Sequence, residues 1–283
     1  MQTIGIIGQG FVGNAVRMGM QHVYNVLTYD KSPDKYSNVT GIEELIEQNE
    51  VVFLCVPTPM KRSGKCDLSI INNALQEINQ CCISLNKQII IVIKSTIPPG
   101  TTDHLDSLYS HCNIVFNPEF LTEANSIEDY KNQNRIVIGG KRPYTSVVRR
   151  IFAKAFPKVP IIKTSSTIAE TIKYVTNIFL ATKVAFANEI FQVCEALDID
   201  YDKVIEYAKY DVRLGQTHWD VPGPDGDFGY GGHCFPKDIA ALKTLMNSLN
   251  VDSTIIDAVI NKNNVVRTDR DWEKQVGRAV SDD

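Results

Sequence analysis

No apolar run in this sequence approaches the roughly 20 residues that a bilayer-spanning helix needs, so the chain does not read as membrane-embedded. It has no surplus of positive charge either. Its 29 lysines and arginines stand against 33 aspartates and glutamates, for a net charge of −4. A basic footprint for nucleic acid is therefore absent. The amino terminus, MQTIGIIGQG, has no basic region and no small-residue cleavage site, and a signal peptide is not expected. Seven cysteines are present, at 55, 66, 81, 82, 112, 194 and 234, but none form a CxxC pair. That argues against a zinc site or a redox dithiol, and no metal is expected. An odd number of irregularly spaced thiols fits a reducing, cytoplasmic setting. Internal repeats and low-complexity tracts are also lacking.

What remains is an ordinary globular composition, 43% hydrophobic and 22% charged, over 283 residues, enough for two domains. The first part alternates short β-rich runs (TIGIIG, YNVLTYD, VVFLCV, IIIVIK, NIVF, RIVIGG, VPIIKT) with segments of helical pattern. That alternation predicts a parallel, doubly wound sheet with helices on both faces, an α/β domain over residues 1–163. After Lys163 the pattern changes. A stretch without proline or glycine keeps apolar residues at helical spacing from about 167 to 197. It predicts one long central helix in an all-helical domain over residues 164–283, with Thr167 and Glu170 as a capping box at its start. The polar tail, VRTDRDWEKQVGRAVSDD, is expected to fray.

The first strand runs into Gly8-Gln9-Gly10-Phe11-Val12-Gly13, a GxGxxG between a strand and a helix. The first glycine permits a tight turn, the second lets a pyrophosphate approach the backbone, and the third lets helix and strand pack closely. The helix start offers N–H groups to phosphate. The next strand ends in Asp30, where a carboxylate hydrogen-bonds a ribose 2′-hydroxyl and repels a 2′-phosphate, followed by Lys31. A Rossmann-like domain that takes NAD in preference to NADP follows.

Three more loops fall at strand ends, where such sheets bind ligands: CVPTP with Val56, Pro57 and Thr58, KSTIPPGTT with Thr96, and NPEFLTEANS with Glu119, Phe120, Leu121 and Glu123. Taken singly, each reads equally well as a proline turn. Glu119 and Glu123 share a face if that segment is helical, and two carboxylates in different environments can divide acid and base work. Lys173 and Asn177 are also four apart, on the long helix among apolar residues. The most unusual stretch is FGYGGHCFPKD, in which Cys234 precedes a helix begun by Pro236. The positive end of that helix and Lys237 favour a thiolate, and the glycines before it would let a substrate lie along bare backbone.

Taken in order, GIIGQGFVG, CVPTP, KSTIPPGTT, NPEFLTE, KYVTNIFLATKVAFANE and FGYGGHCFPKD resemble the UDP-glucose/GDP-mannose 6-dehydrogenase family, over residues 2 to about 245. The resemblance implies oxidation of a nucleotide-sugar C6 alcohol to the uronic acid with two NAD, UDP-glucose to UDP-glucuronate being the expected case. It implies Cys234 as a nucleophile that forms a thiohemiacetal and then a thioester. Lys173 and Asn177 match the pair that stabilises the oxyanion, and Asp238 matches a carboxylate that handles water and protons. Thr96 and Glu119 match groups that position or activate water, and Glu123 lies by the nicotinamide. Phe228, Gly229, Tyr230, Gly231 and Gly232 match the loop along the sugar, with Phe120 and Leu121 also at the substrate. Arg213 resembles an arginine that reaches a neighbouring subunit's substrate in a homodimer built on the long helix. Family members carry a third domain that closes over the nucleotide, so the resemblance implies a short form lacking the C-terminal nucleotide-sugar domain. The stretch VPGPDGDFG, residues 221–229, departs from the family pattern by lengthening the loop before the cysteine motif.

Two other readings stand beside this one. A two-electron 3-hydroxyacid-type dehydrogenase shares the helix KxxxN but needs no thiol. A non-catalytic dinucleotide-binding dimer would need none of Thr96, Glu119, Lys173, Asn177, Cys234 and Asp238.

Overall fold

The computed structural model describes residues 2–281, whose contacts fall into two compact units. One runs up to Thr58 and continues over Leu68–Lys173; the other joins Pro59–Asp67 to the chain from Tyr174 onward.

The first unit is built on seven strands: β1 (Thr3–Ile7), β2 (Asn25–Tyr29), β3 (Val51–Leu54), β4 (Ile89–Ile93), β5 (Cys112–Phe116), β6 (Ile136–Gly140) and β7 (Ile161–Thr164). Its helices are α1 (Phe11–Met20), α2 (Ile42–Gln48), α3 (Ser69–Ser84), α4 (Thr101–Leu108), α5 (Ser126–Lys131) and α6 (Tyr144–Ala155). The strand order is β2-β1-β3-β4-β5-β6-β7. Strands buried on both faces must be apolar at nearly every position, and β3 and β4 are. Their side chains alternate between two cores. Val52, Leu54, Ile89, Ile91 and Ile93 pack with Leu45 and Ile46 of α2 and Ile71, Leu75 and Ile78 of α3. Val51, Phe53, Ile90 and Val92 pack with Ala15, Val16 and Met20 of α1 and Ile151 and Phe152 of α6.

The sheet is mixed rather than wholly parallel. β5 and β6 run antiparallel, pairing Val115 with Gly140 and Phe116 with Gly139. A parallel pair needs a crossover element laid over the sheet. The helix between these strands, α5, has six residues and packs on α1 instead.

The long helix α7 (Ser166–Ala196) has the predicted extent to within a residue. Its capping box does not form. The Glu170 carboxylate instead accepts from the Gly100 N–H (2.6 Å), the Thr102 N–H (2.7 Å) and the Thr102 hydroxyl (2.6 Å), satisfying the open N–H groups at the start of α4. That anchors the first turns of α7 to the sheet unit, and the contact division falls inside the helix, between Lys173 and Tyr174.

The second unit contains the rest of α7, then α8 (Tyr201–Ala208), α9 (Phe235–Ser248) and α10 (Thr254–Val266). Tyr174, Ile178, Ala181 and Ala185 pack against Ile239, Ala241, Ile256 and Val259. The tail does not fray over its described part. Trp272 is 4% exposed, and the Ala279 carbonyl accepts from the Met60 N–H at 2.8 Å. Its polar composition hid one buried indole and a backbone bridge between Met60 and Val280. Among the described residues no helix is long and apolar enough to cross a membrane.

Candidate functional site

In the first unit the loops at the carboxyl ends of the strands are tied to one another by their own backbone. Gly8 has φ +91°, and a Cβ there would lie 2.5 Å from the Cys55 carbonyl oxygen. At Gly13 it would lie 1.8 Å from the Gly8 oxygen, so helix and turn meet backbone to backbone. Gly10, the residue just before α1, faces open space, and Phe11 and Val12 follow it in the first turn. Bare backbone at the positive end of a ten-residue helix fits a dinucleotide pyrophosphate. Asp30 and Lys31 follow β2. The Asp30 carboxylate accepts from the Gln9 N–H at 2.5 Å and the Ser32 N–H at 2.8 Å, so it also fixes the glycine turn. Beyond β3, the Ser95 hydroxyl donates to the Val56 carbonyl (2.5 Å), Pro57 is exposed, and the Thr58 hydroxyl donates to the Thr96 carbonyl (2.8 Å).

Beyond β4 and β5 lies a buried polar cluster. Lys173 Nζ donates to Glu119 Oε1 and to the Glu119 carbonyl, both at 2.8 Å. Glu119 Oε2 accepts from the Leu121 N–H at 2.7 Å. Burial alone would raise the Glu119 carboxyl, but Lys173, the Leu121 N–H and Lys94 together outweigh it and hold the group below its usual range. Phe120 lies beneath the Lys173 ammonium, 5.7 Å from ring centroid to Nζ. Residues 117–123 form a loop, not a helix, because the turn of α5 starts only at Ser126. Glu119 and Glu123 therefore share no helical face; Glu119 is buried and Glu123 exposed.

Lys94 belongs to this cluster, although it drew no weight in the sequence. It donates to Asn117 Oδ1 at 2.6 Å, and Asn117 in turn donates to the Val137 carbonyl. Burial pulls the Lys94 ammonium down to about 8, although the Glu119 carboxylate favours its charge. A cavity of about 300 Å³ opens on Lys94, Glu119, Tyr130 and Arg135.

In the second unit, Cys234 is the residue before the first turn of α9, with Pro236 in that turn. Lys237 and Asp238 form a buried ion pair, and Asn177 Nδ2 donates to Asp238 Oδ2 at 2.6 Å. Burial opposes the Lys237 charge, but Asp238 and Cys234 outweigh it and hold the ammonium above its usual range. The thiol therefore shares its helix end with a cation kept charged.

The glycines before Cys234 are packed largely by protein. A Cβ at Gly229 would lie 2.2 Å from Asn263 Oδ1, and one at Gly231 would lie 2.2 Å from Arg267 Nη2. At Gly232 there is open space. The Tyr230 N–H donates to Asn263 Oδ1 (2.7 Å), and the Tyr230 carbonyl accepts from Asn263 Nδ2 (3.0 Å). The Phe228 carbonyl accepts from Arg267 at 3.5 Å. Arg213 is exposed and its guanidinium forks onto Asp211 of the same chain. Asn263 escaped the sequence reading because its Tyr230 partner lies 33 residues away, and Arg267 because, besides its near partners Asp269 and Asp271, it reaches Phe228 across 39 residues.

Residues 25–156 match the NAD binding domain of the UDP-glucose/GDP-mannose dehydrogenase family, and residues 167–265 match its central domain. A UDP-glucose 6-dehydrogenase of Rickettsia bellii is 37% identical over 78% of this chain and 50% of its own length. A GDP-mannose 6-dehydrogenase of Pseudomonas syringae is 31% identical over 81% of this chain and 54% of its own. The solved structure of a UDP-glucose dehydrogenase from Pyrobaculum islandicum superposes with a TM-score of 0.85 at 27% identity, over 94% of this chain and 68% of that one. The chain thus spans about half the length of the curated relatives it matches. On these matches the chain belongs to the UDP-glucose/GDP-mannose dehydrogenase family and carries its NAD-binding and central domains.

Proposed function

We propose that this protein oxidises the C6 alcohol of a nucleotide sugar to the acid, with UDP-glucose as substrate and UDP-glucuronate as product. The observation that carries the reading is Cys234 at the start of α9, with Lys237, Asp238 and Asn177 in a buried network beside it. NAD, when bound against Gly10 and the start of α1, supplies the hydride acceptor for each of the two oxidations. The chain's own residues supply the rest. Loss of a proton and a hydride from the alcohol leaves the aldehyde. The Cys234 thiolate adds to that carbonyl, forming an S–C bond and an oxyanion that Lys173 and Asn177 stabilise. Loss of a second hydride leaves a thioester. Water, activated by Glu119 or Asp238 and positioned by Thr96, adds to it; the C–S bond breaks and the thiolate returns.

The reading includes a homodimer. Val175, Phe179, Phe186 and Val193 form an exposed apolar stripe along α7, with Phe179 66% exposed. Their spacing of four and seven residues keeps them on one helical face, which a second copy of the helix would cover.

The test is to incubate the protein with NAD and a panel of UDP- and GDP-sugars and count NADH per sugar consumed. Two NADH per UDP-glucose are expected for the wild type, and at most one for Cys234→Ala, with aldehyde or its hydrate left behind. Normal acid formation by Cys234→Ala with two NADH per sugar would remove the thiol from the mechanism.

A further inference from the structure

Arg267 follows α10, and its side chain is 3% exposed. A guanidinium cannot shed its charge, so one this buried must be paired on several sides. It is: Nη2 meets Asp225 at 2.7 Å and Asp271 at 3.0 Å, and Nε meets Asp227 at 3.3 Å. Nε also donates to the Asp269 carbonyl at 2.7 Å, and Nη1 to the Phe228 carbonyl at 3.5 Å. The fork thus joins two segments distant in sequence, residues 225–228 and residues 269–271.

Both segments act on the backbone that leads to Cys234. The Asp271 carboxylate accepts from the Gly232 N–H at 3.0 and 3.2 Å. The Asp227 carboxylate accepts from the N–H groups of Phe228, Thr268 and Asp269 and from the Thr268 hydroxyl. Burial would raise Asp227, but these donors outweigh it and bring it down to about 2, so it is ionised at neutral pH. Gly231 lies so close to the fork that a Cβ would sit 2.2 Å from Arg267 Nη2 and 2.3 Å from Asp271 Oδ1. The bare backbone at Gly231 thus admits the arginine.

We propose that Arg267 is a positioning residue, which with Asp225, Asp227 and Asp271 clamps the Phe228–Gly232 backbone and so fixes where the Cys234 thiol is presented. Arginine is required because its planar fork reaches several carboxylates at fixed angles, whereas a lysine is a single point charge. The inference rests on the function proposed above only for its kinetic arm.

The experiment uses Arg267→Lys and Asp271→Asn in the whole chain, read in two ways. The first is the rate of Cys234 alkylation by iodoacetamide, mapped by peptide mass spectrometry with the other six cysteines as internal controls. The second is KM and kcat for UDP-glucose with saturating NAD. A charge-assisted hydrogen bond is worth about 1.5–3 kcal/mol, so its loss corresponds to roughly tenfold or more. Arg267→Lys is expected to shift the Cys234 alkylation rate at least about fivefold while the other thiols keep theirs, and to raise KM about tenfold with kcat changed much less. Asp271→Asn keeps the side-chain volume and should move the same readouts in the same direction by about threefold; it decides the matter if Arg267→Lys does not fold. Cys234 reactivity and KM both within twofold of wild type would overturn the proposal and leave Arg267 a brace for the tail. If the wild type does not turn over UDP-glucose, the function reading fails, and the alkylation arm alone still decides the clamp.

Discussion

Asn177 of α7 donates its side-chain N–H to Asp238 of α9 at 2.6 Å, and Asp238 is in turn the counter-ion of Lys237. A buried ion pair contributes little net stability while intact, but removing one partner leaves an uncompensated charge and costs about 3–5 kcal/mol. Asp238→Ala should therefore lower unfolding free energy in urea by about that amount, and Asp238→Asn by less, since it keeps a hydrogen-bond acceptor for Asn177. Adding Lys237→Met to Asp238→Ala should restore part of the loss. If the two changes simply add, the pair is not coupled as the geometry indicates.

Asp30 has two tasks that a single substitution separates poorly and a titration separates well. Its carboxylate holds the Gln9 N–H, and we propose that it also repels a 2′-phosphate. The wild type should bind NAD more tightly than NADP. Asp30→Ala should narrow that gap and also weaken NAD itself by roughly tenfold or more, the worth of one charge-assisted hydrogen bond to the turn. Calorimetric titration with both dinucleotides gives the two effects at once. Equal binding of NAD and NADP by the wild type contradicts the assignment.

What the sequence made legible was whatever is written locally. The central strands were visible because runs such as IIIVI must be apolar throughout when buried on both faces. The start of α9 was visible because Pro236 belongs in a first turn. What was not legible depends on distant partners. Glu170 is spaced for a capping box but satisfies α4, 70 residues away from Gly100. Glu119 and Glu123 have helical spacing but occupy a loop, since Leu121 N–H bonds to the Glu119 side chain instead. Gly229 and Gly231 suggested room for a substrate, and the space their missing Cβ atoms leave is taken by Asn263 and Arg267. Asp271, in a tail expected to fray, holds the N–H of Gly232.

The exposed stripe on α7 gives a prediction about assembly. If a second copy covers Val175, Phe179, Phe186 and Val193, a charge at the centre of that face must be desolvated without a partner. Phe179→Glu should give a monomer by light scattering at concentrations where the wild type is a dimer. The fold should persist by circular dichroism, because Phe179 is exposed in the single chain. A monomeric wild type would end the dimer proposal and, with it, any role for Arg213 at a neighbouring site.

The buried ammonium of Lys94 should appear in the pH dependence of stability. An unfolded lysine titrates near 10.4, whereas burial brings Lys94 down to about 8 in the folded chain. Between those values the unfolded state holds a proton that the folded state has released, so the Lys94 contribution to unfolding free energy rises with pH across that window. Below pH 8 the folded chain carries a buried charge; above about 10.5 neither state does, and the penalty is gone. The full gain is roughly 2–4 kcal/mol. Cys55 acts with the opposite sign, because burial pushes its folded thiol up to about 12 while an unfolded thiol ionises at about 8.5, so its contribution falls as pH rises and must be cancelled by comparison with a variant that keeps it. Lys94→Met removes the titrating group while leaving Asn117 without its donor, so its absolute stability at pH 7 combines two opposing effects. The difference between wild type and Lys94→Met isolates the lysine, since all other groups are common to both. Measured by urea unfolding at half-unit steps from pH 7.5 to 10.5, that difference should swing toward the wild type as pH rises, with its midpoint between 8 and 10. A difference that stays flat would mean that Lys94 keeps an ordinary affinity for its proton inside the fold, and that water reaches it through the cavity beside Glu119 and Tyr130.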